Sequence, residues 1–480
     1  MQNDTPRLKL NIGRTILIGL AFMAICLFWE IYDSVMPLFL RNFKVFDNNK
    51  VLVGVVMALD NLLALVLLPY MGKLSDDFPK ITSKHPKLQK LGKRMPFIIV
   101  GTVLAAIALM FVTLGHETQN LILMLVSTAF LLVFMCLYRS PAVAFMPDVT
   151  PKPLRSKANA IINIMGVVGG VVAMVLSMIF LKTRTESING EEVKYIQYGI
   201  SNWILMISVA VLMIFAMIVM IIKVRENKFV EEKQKMLEAA GIVEDEQDLD
   251  EKIQEEIAKN EGGRFKKLGL TKAQLISLIL LLGAAFLWFM AYNGLKTFYS
   301  TFYLEYLGQK NFQLPMIIGQ AAGFVAFIPA GLLGSKLGRK KTVMIGISTC
   351  IIGLLISCLM VFTVPKTNVA LVNILMIVVF IFVGIGWATI NVHSYVMSVE
   401  MANKNNTGVF TGLYYSFTMT AQMITPIVVG GIIDVLDIRF MFPYATILMA
   451  LALVVMTFVK HGNSTPIAKK GLELLAGEED

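Results

Sequence analysis

Residues Trp29–Asp76 read WEIYDSVMPLFLRNFKVFDNNKVLVGVVMALDNLLALVLLPYMGKLSD. Two apolar segments of membrane-spanning length lie here, parted by a short polar break and closed by a charged stretch. Glu30, Asp33 and Asp60 sit inside the apolar segments rather than at their ends. The stretch has a counterpart. Shifting the numbering by about 259 places, without a gap, lays Trp29 on Trp288, Phe39 on Phe298, Gly72 on Gly331, Leu74 on Leu333 and Asp76 on Ser335. A repeat this long means two homologous halves. The acids are not repeated, since Glu30, Asp33 and Asp60 fall on Phe289, Tyr292 and Gly319. Ion chemistry is therefore expected in the first half.

Hydrophobic residues make up 56% of the 480 and charged residues 16%. Apolar runs of about 20 residues recur along the chain, long enough to cross a hydrocarbon core of about 30 Å. That pattern excludes a soluble multidomain protein and predicts an all-α membrane protein in the lipid bilayer. The net charge of +10 invites a nucleic-acid partner. Position argues against one, because most Lys and Arg fall in segments assigned to one side, the asymmetry that places both termini in the cytoplasm. Cys26, Cys136, Cys350 and Cys358 all lie in apolar segments, so neither a disulfide framework nor a metal motif is indicated. The first apolar run is too long for a cleaved signal and is expected to remain as the first span.

Spans are predicted at about 15–40, 51–71, 97–115, 121–146, 157–181 and 200–222, then at 272–307, 313–334, 341–363, 369–397, 407–433 and 440–460. This gives an amino-terminal six-helix bundle over 1–222, a charged cytoplasmic linker with short amphipathic helices over 223–271, a second bundle over 272–460 and a cytoplasmic tail over 461–480. Gly166 with Gly170, Gly319 with Gly323, and Gly408 with Gly412 are each four apart and mark faces for close helix approach, either static or rocking. Pro37, Pro69, Pro141 and Pro426 interrupt spans and mark bends.

After the second span the chain reads Gly72-Lys-Leu74-Ser-Asp76-Asp77 and then Gly92-Lys93-Arg94; the repeat reads Gly331-Leu-Leu333-Gly-Ser335 and Gly338-Arg339-Lys340-Lys341. This resembles the signature loop of the major facilitator superfamily. The resemblance implies twelve transmembrane helices in two pseudo-symmetric six-helix bundles, with a cytoplasmic gate in which glycine permits a tight turn and the acid bonds a neighbouring helix end. Gly72, Asp76, Gly92, Arg94, Gly331, Gly338 and Arg339 are the gate candidates, with Ser335 departing from the acid. Asp148 and Glu400, each after the fourth span of its half, and Arg155 join them.

Span four ends Tyr138-Arg139-Ser140-Pro141-Ala142 through Pro147-Asp148. Together with Asp60-Asn61 and Gly92-Lys-Arg-Met-Pro96, this ending is similar to the proton–sucrose symporters, to related animal and bacterial sugar transporters, and to the glycoside–pentoside–hexuronide:cation symporters. The plant symporters carry an arginine where Val143 stands, and Arg139 lies one turn earlier. The resemblance implies sugar–proton symport.

Charges deep in a span cost a few kcal/mol at least and usually face a bundle interior or a watery cavity. Asp60, Asp33 and Glu30, with Arg139, are the candidates for proton or ion coupling; the competing reading is a structural ion pair with Arg139. Lys296 sits deep in span seven among Trp288, Tyr292 and Asn293. Trp29, Tyr32, Asn61, Arg139, Trp288, Tyr292, Asn293, Lys296 and Asn391 are the candidate solute contacts, since sugar rings stack on aromatic faces and their hydroxyls need polar partners. Ordinary packing explains the aromatic stripe equally well, and His393 reads as a structural hydrogen-bonder.

No phosphate-binding glycine loop is present to support ATP-driven transport, and no soluble segment is large enough for an ATPase or kinase. The expectation is a secondary transporter of the cell membrane, not an enzyme and without a cofactor. It moves a small polar solute, foremost a disaccharide or glycoside, as a monomer. The coupling ion is foremost a proton, with sodium left open because carboxylates and carbonyls also serve it. Export of a drug-like or lipid-like compound, and a non-transporting receptor on the same scaffold, are the alternatives.

Overall fold

The computed structural model describes residues 10–82, 89–188, 191–239, 270–401 and 407–462. Twelve of its helices are long and apolar enough to cross a membrane, as the sequence predicts. We number them α1 (Ile12–Arg41), α2 (Lys50–Ile81), α3 (Met95–Glu117), α4 (Leu121–Val149), α5 (Lys152–Phe180), α6 (Ile200–Lys223), α7 (Lys272–Glu305), α8 (Gln313–Leu337), α9 (Arg339–Thr363), α10 (Val369–Val399), α11 (Thr407–Val435) and α12 (Met441–Phe458). Helices suit these segments because hydrocarbon offers no partner for a backbone N–H or C=O, and a helix satisfies both internally. Asn side chains supply several starts: Asn11, Asn49, Asn120 and Asn368 each accept the N–H three residues on. Thr271 and Gln274 form a capping box on α7. Each such cap contributes roughly 1 kcal/mol.

Within each half the same neighbours recur. The first helix packs on the fifth and sixth, the second on the fourth, and the third on the fourth and sixth; α7–α12 repeat the scheme. Between the halves, α2 runs along α11, α5 meets α8, and α1 meets α7. Every pairing has its mirror, as duplication requires. Isoleucine, valine and phenylalanine left exposed on outer faces, such as Val211, Phe215 and Ile222 of α6, are the surface that lipid covers.

The described residues begin at Leu10 and finish at Gly462 on one side, here the termini face; the α1–α2, α7–α8 and α11–α12 connections lie on the opposite, hairpin face. At the hairpin face the halves are joined. Arg41 and Lys50 each stand 3.1 Å from Glu305. Asp434 caps α2 from the other half, accepting the N–H of Lys50 at 2.7 Å and of Val51 at 2.9 Å. On the opposite flank Gln313 donates to Ser177 at 2.9 Å.

Two sequence expectations need correction. Gly72–Asp76 and Gly331–Ser335 are not turns but the last turns of α2 and α8, because nothing there halts the helical backbone. Gly72 instead lies against Ser140 of α4. The turns fall at Gly92 and Gly338, with φ of 90° and 83°. The stretch between α5 and α6 also forms an unexpected antiparallel β-hairpin, β1 (Thr183–Ile188) and β2 (Glu191–Ile196). It straps the hairpin face: Arg41 donates to the Lys194 carbonyl, Asn42 to the Ile196 carbonyl, and the Tyr195 hydroxyl to Asp47. Of the glycine faces, Gly319 and Gly323 pack on α10 of their own half, Gly166 faces α1, and Gly170 faces Gln320 across the halves. The surroundings of Gly408 lie outside the described residues, and a Cβ at Gly412 would meet nothing within 4 Å, so no close helix approach is found there.

Among the described glycines, the tightest inter-half contact is at Gly54, where an added Cβ would fall 2.1 Å from the Pro426 carbonyl oxygen. That oxygen is backbone and cannot swing away. Gly54→Leu is therefore expected to destabilise the state closed at the hairpin face by about 1–3 kcal/mol. The readout is faster maleimide labelling of a cysteine placed at Val53, which is 2% exposed here; unchanged labelling would show that the seam adapts.

Candidate functional site

A charged cluster lies at mid-depth, where α1 crosses α7. Glu30 and Asp33, three apart, share one face of α1. Lys296 of α7 reaches across from the other half, its Nζ 2.7 Å from Asp33 Oδ2 and 3.8 Å from Glu30 Oε2. Asp60 of α2 accepts the backbone N–H of Asn61 at 2.5 Å and its side-chain amide at 2.7 Å. It lies within electrostatic reach of Asp33 and Arg139. Arg139, expected as the acids' partner, has its guanidinium carbon 5.6 Å from the ring centre of Trp29. The cation within bonding distance of Asp33 is Lys296. Removing one partner of this half-buried pair leaves the other charge poorly compensated.

Two chambers flank the cluster. The larger, about 670 Å³, has Glu30, Tyr292, Lys296, Gln320, Trp387 and Asn391 in its wall. It extends toward the termini face, past Asn159 and Asn163 near the start of α5. The smaller, about 160 Å³, is walled by Asp33, Asp60, Asn61, Asn293, Thr297 and Gln422. Tyr292, Lys296 and Trp387 belong to both walls and so form the partition. Tyr292 stacks on Trp387 with ring centres 3.9 Å apart and 8° between planes, and Phe289 meets Trp387 edge-on at 5.0 Å. Asn391 and Asn293 each donate to a carbonyl one turn back, which holds their side chains in place.

The remaining aromatic candidates stand elsewhere. Trp288 is fully buried. Trp29 and Tyr32 pack against one another edge-on at 5.6 Å, and none of these three is in either chamber wall. His393 sits 3.0 Å from the Ala330 carbonyl. Sequence reasoning missed Trp387, Gln320 and Gln422. Trp387 was findable: it lies between Gly386 and Ala388, one helical turn before Asn391, and so shares that residue's face.

At the termini face, Arg94 brings the gate candidates of the first half together. Its Nη2 is 2.6 Å from Asp76 Oδ1, its Nε 2.7 Å from Asp148 Oδ2, and its Nη1 3.2 Å from Ser75 Oγ. These side-chain partners all belong to the first half, so in this conformation the cluster ties α2, α3 and α4 into one unit. Arg155 donates to the carbonyls of Thr150 and Pro147. In the second half Arg339 pairs with Glu400, while Ser335 bonds only locally, donating to the Leu332 carbonyl.

One partner comes from the connecting segment. Glu226 begins the helix Glu226–Ala239 and is 3% exposed. Its carboxylate accepts the backbone N–H of Lys93 (2.9 Å), Arg94 (3.0 Å) and Met95 (3.1 Å), capping α3. Burial pushes this carboxyl above its ordinary value, and those backbone N–H groups oppose the rise. Gly92 admits the carboxylate, because a Cβ there would fall 2.4 Å from it. Arg14 fastens the same helix, lying 3.2 Å from Glu232 and 4.1 Å from the Phe229 ring centre.

Two mirrored six-helix halves enclosing a central chamber, with charges sheltered at mid-depth, define a secondary transporter of the multi-pass membrane class. The Major Facilitator Superfamily profile matches residues 18–418, and the chain belongs to that family. Among solved structures it is similar to a point mutant of the nucleoside transporter NupG, with a TM-score of 0.61 and 15% identity over 94% of this chain and 100% of that one. It is also similar to a bacterial metal transporter, with a TM-score of 0.58 and 11% identity over 94% and 99% of the two chains. No curated protein matches the sequence.

Glu226 satisfies several helix-end N–H groups that are otherwise buried. Glu226→Ala is expected to lower stability by about 1–3 kcal/mol, and Glu226→Gln, which keeps one acceptor oxygen, by less. Thermal unfolding of the detergent-solubilised chain checks the order; equal loss in both variants would mean that charge, not capping, holds the segment.

Proposed function

We propose that the chain is a proton-coupled symporter of a sugar, a disaccharide or glycoside, working by alternating access in the cell membrane with both termini in the cytoplasm. One observation carries the proton reading. Among the described residues, the ionisable groups of the mid-depth cluster are three acids, Glu30, Asp33 and Asp60, against two bases, Lys296 and Arg139. Fully ionised, the set is one positive charge short. A single proton brings it to neutrality, which is the state an apolar interior tolerates at least cost. Asp60 is the carrier in this reading, because Lys296 already pairs with Asp33.

The larger chamber supports the sugar. Its volume of about 670 Å³ falls within the roughly 300–1,000 Å³ range of small-molecule sites. The Tyr292–Trp387 stack offers a face for C–H groups, and Gln320, Asn391, Asn159 and Asn163 offer neutral donors and acceptors for hydroxyls. The two solved relatives differ in cargo by their descriptions, so the solute is argued from the chamber alone. With the termini in the cytoplasm, the conformation described is closed on the outside.

In proteoliposomes, an inward proton gradient is expected to drive accumulation of a labelled sugar. Failure of every sugar tested to accumulate would sink the reading in favour of export or of a non-transporting role. Asp60→Asn is expected to abolish gradient-driven accumulation while permitting counterflow exchange, which needs no net proton movement. An Asp60→Asn variant that still concentrates solute would move the coupling site elsewhere, with Asp33 next.

A further inference from the structure

We infer that Lys296 is the switch between the two chambers: its ammonium shifts from Asp33 to Glu30 when Asp60 takes up a proton, and so completes a solute clamp in the larger chamber. The inference rests on the sugar–proton reading and deepens it. It gives Lys296 a moving role in place of a fixed solute contact.

Three observations carry it. Lys296 lines both chambers, with Asp33 in the wall of the smaller and Glu30 in that of the larger. Its Nζ is 2.7 Å from one carboxylate and 3.8 Å from the other, so a small swing of a flexible four-carbon stem exchanges partners. Glu30 and Lys296 also come from opposite halves, α1 and α7. A solute held between them would bridge the two bodies that must rock.

The direction follows from charge. With Asp60 ionised, the smaller chamber holds two carboxylates and draws the ammonium to Asp33, the arrangement described here. Protonation of Asp60 removes one negative charge beside Asp33 and weakens that pull. The ammonium then moves toward Glu30. An ammonium beside a carboxylate offers a donor and an acceptor a few ångströms apart, which matches adjacent hydroxyls on a sugar ring. Proton and solute thereby favour one another, the sign that symport requires. The titratable and charged groups that face this set are Cys26, Glu30, Tyr32 and Asp33 of α1, Asp60 of α2, Cys136 and Arg139 of α4, Tyr292 one turn back on α7, and Cys350 of α9.

The test is equilibrium binding of labelled sucrose to the purified full-length chain at acidic and alkaline pH, with counterflow in proteoliposomes as a second readout. The wild type is expected to bind about tenfold more tightly at acidic pH. Asp33→Asn frees the ammonium permanently and is expected to bind tightly at both pH values. Lys296→Gln is expected to bind weakly at both, and Glu30→Gln likewise. If Lys296→Gln does not fold, the charge-balanced pair Asp33→Asn with Lys296→Gln takes its place, again with weak, pH-independent binding expected. A wild type that binds neither sucrose nor any other disaccharide or glycoside tested, or binds without pH dependence, overturns the sugar–proton reading and the switch with it. A wild type that binds as expected while Asp33→Asn weakens binding, or keeps the wild-type pH dependence, overturns the switch alone.

Discussion

Charge inside hydrocarbon must be answered by charge nearby, and in this chain the answer crosses the boundary between the two halves. Asp33 belongs to α1 and Lys296 to α7, and they meet at 2.7 Å. Neither half contains this pair by itself. Separating the bundles at mid-depth would strand an ammonium in one and a carboxylate in the other, at several kcal/mol each unless water follows. The chamber beside them supplies room for water. A small wet space between otherwise apolar helices is therefore a condition for the ion pair, and not only a place for cargo.

The same logic separates the two ends of the molecule. At the hairpin face the polar contacts join the halves: Arg41 and Lys50 on Glu305, and Asp434 on the start of α2. The β-hairpin braces Arg41 from above through the Lys194 carbonyl. At the termini face the Arg94 cluster and the Glu226 cap stay within the first half and its connecting helix. Contacts of the first kind must break for the hairpin face to open. Contacts of the second kind travel with a rigid body. The molecule thus carries inter-half bonds at its hairpin face and intra-half ones around Arg94.

Much of this architecture is legible in the chain. Twelve apolar runs, the gapless repeat and its signature motifs specify the halves and the helix pairings, because duplication forces equivalent packing. The site is less legible. Lys296 falls, by the repeat, on Pro37, one turn beyond Asp33; its depth could be read, but not which side of α7 would face α1. Azimuth depends on packing between halves, and the nearer arginine in the sequence, Arg139, turned instead to Trp29. Of the motif glycines, Gly92 and Gly338 form turns as read, and Gly72 and Gly331 misled for a local reason. Gly72 reads as a turn former, yet a helix running on to Ile81 uses its lack of side chain for contact with α4. The β-hairpin went unseen because its strands are short, polar and set between spans.

Duplication followed by divergence gives the interior its division of labour. Where the first half has Asp33, the second has Tyr292, the stacking partner of Trp387 and part of the partition between chambers. Where the first has Glu30, the second has Phe289, edge-on to the same indole. Where the first has Asp60, the second has Gly319, whose missing side chain lets α8 close on Phe380 of α10. Acids on one side thus face an aromatic wall on the other, set there by equivalent backbone positions. The aromatic residues at the second half's equivalent positions are therefore part of the setting in which the first half's acids stand.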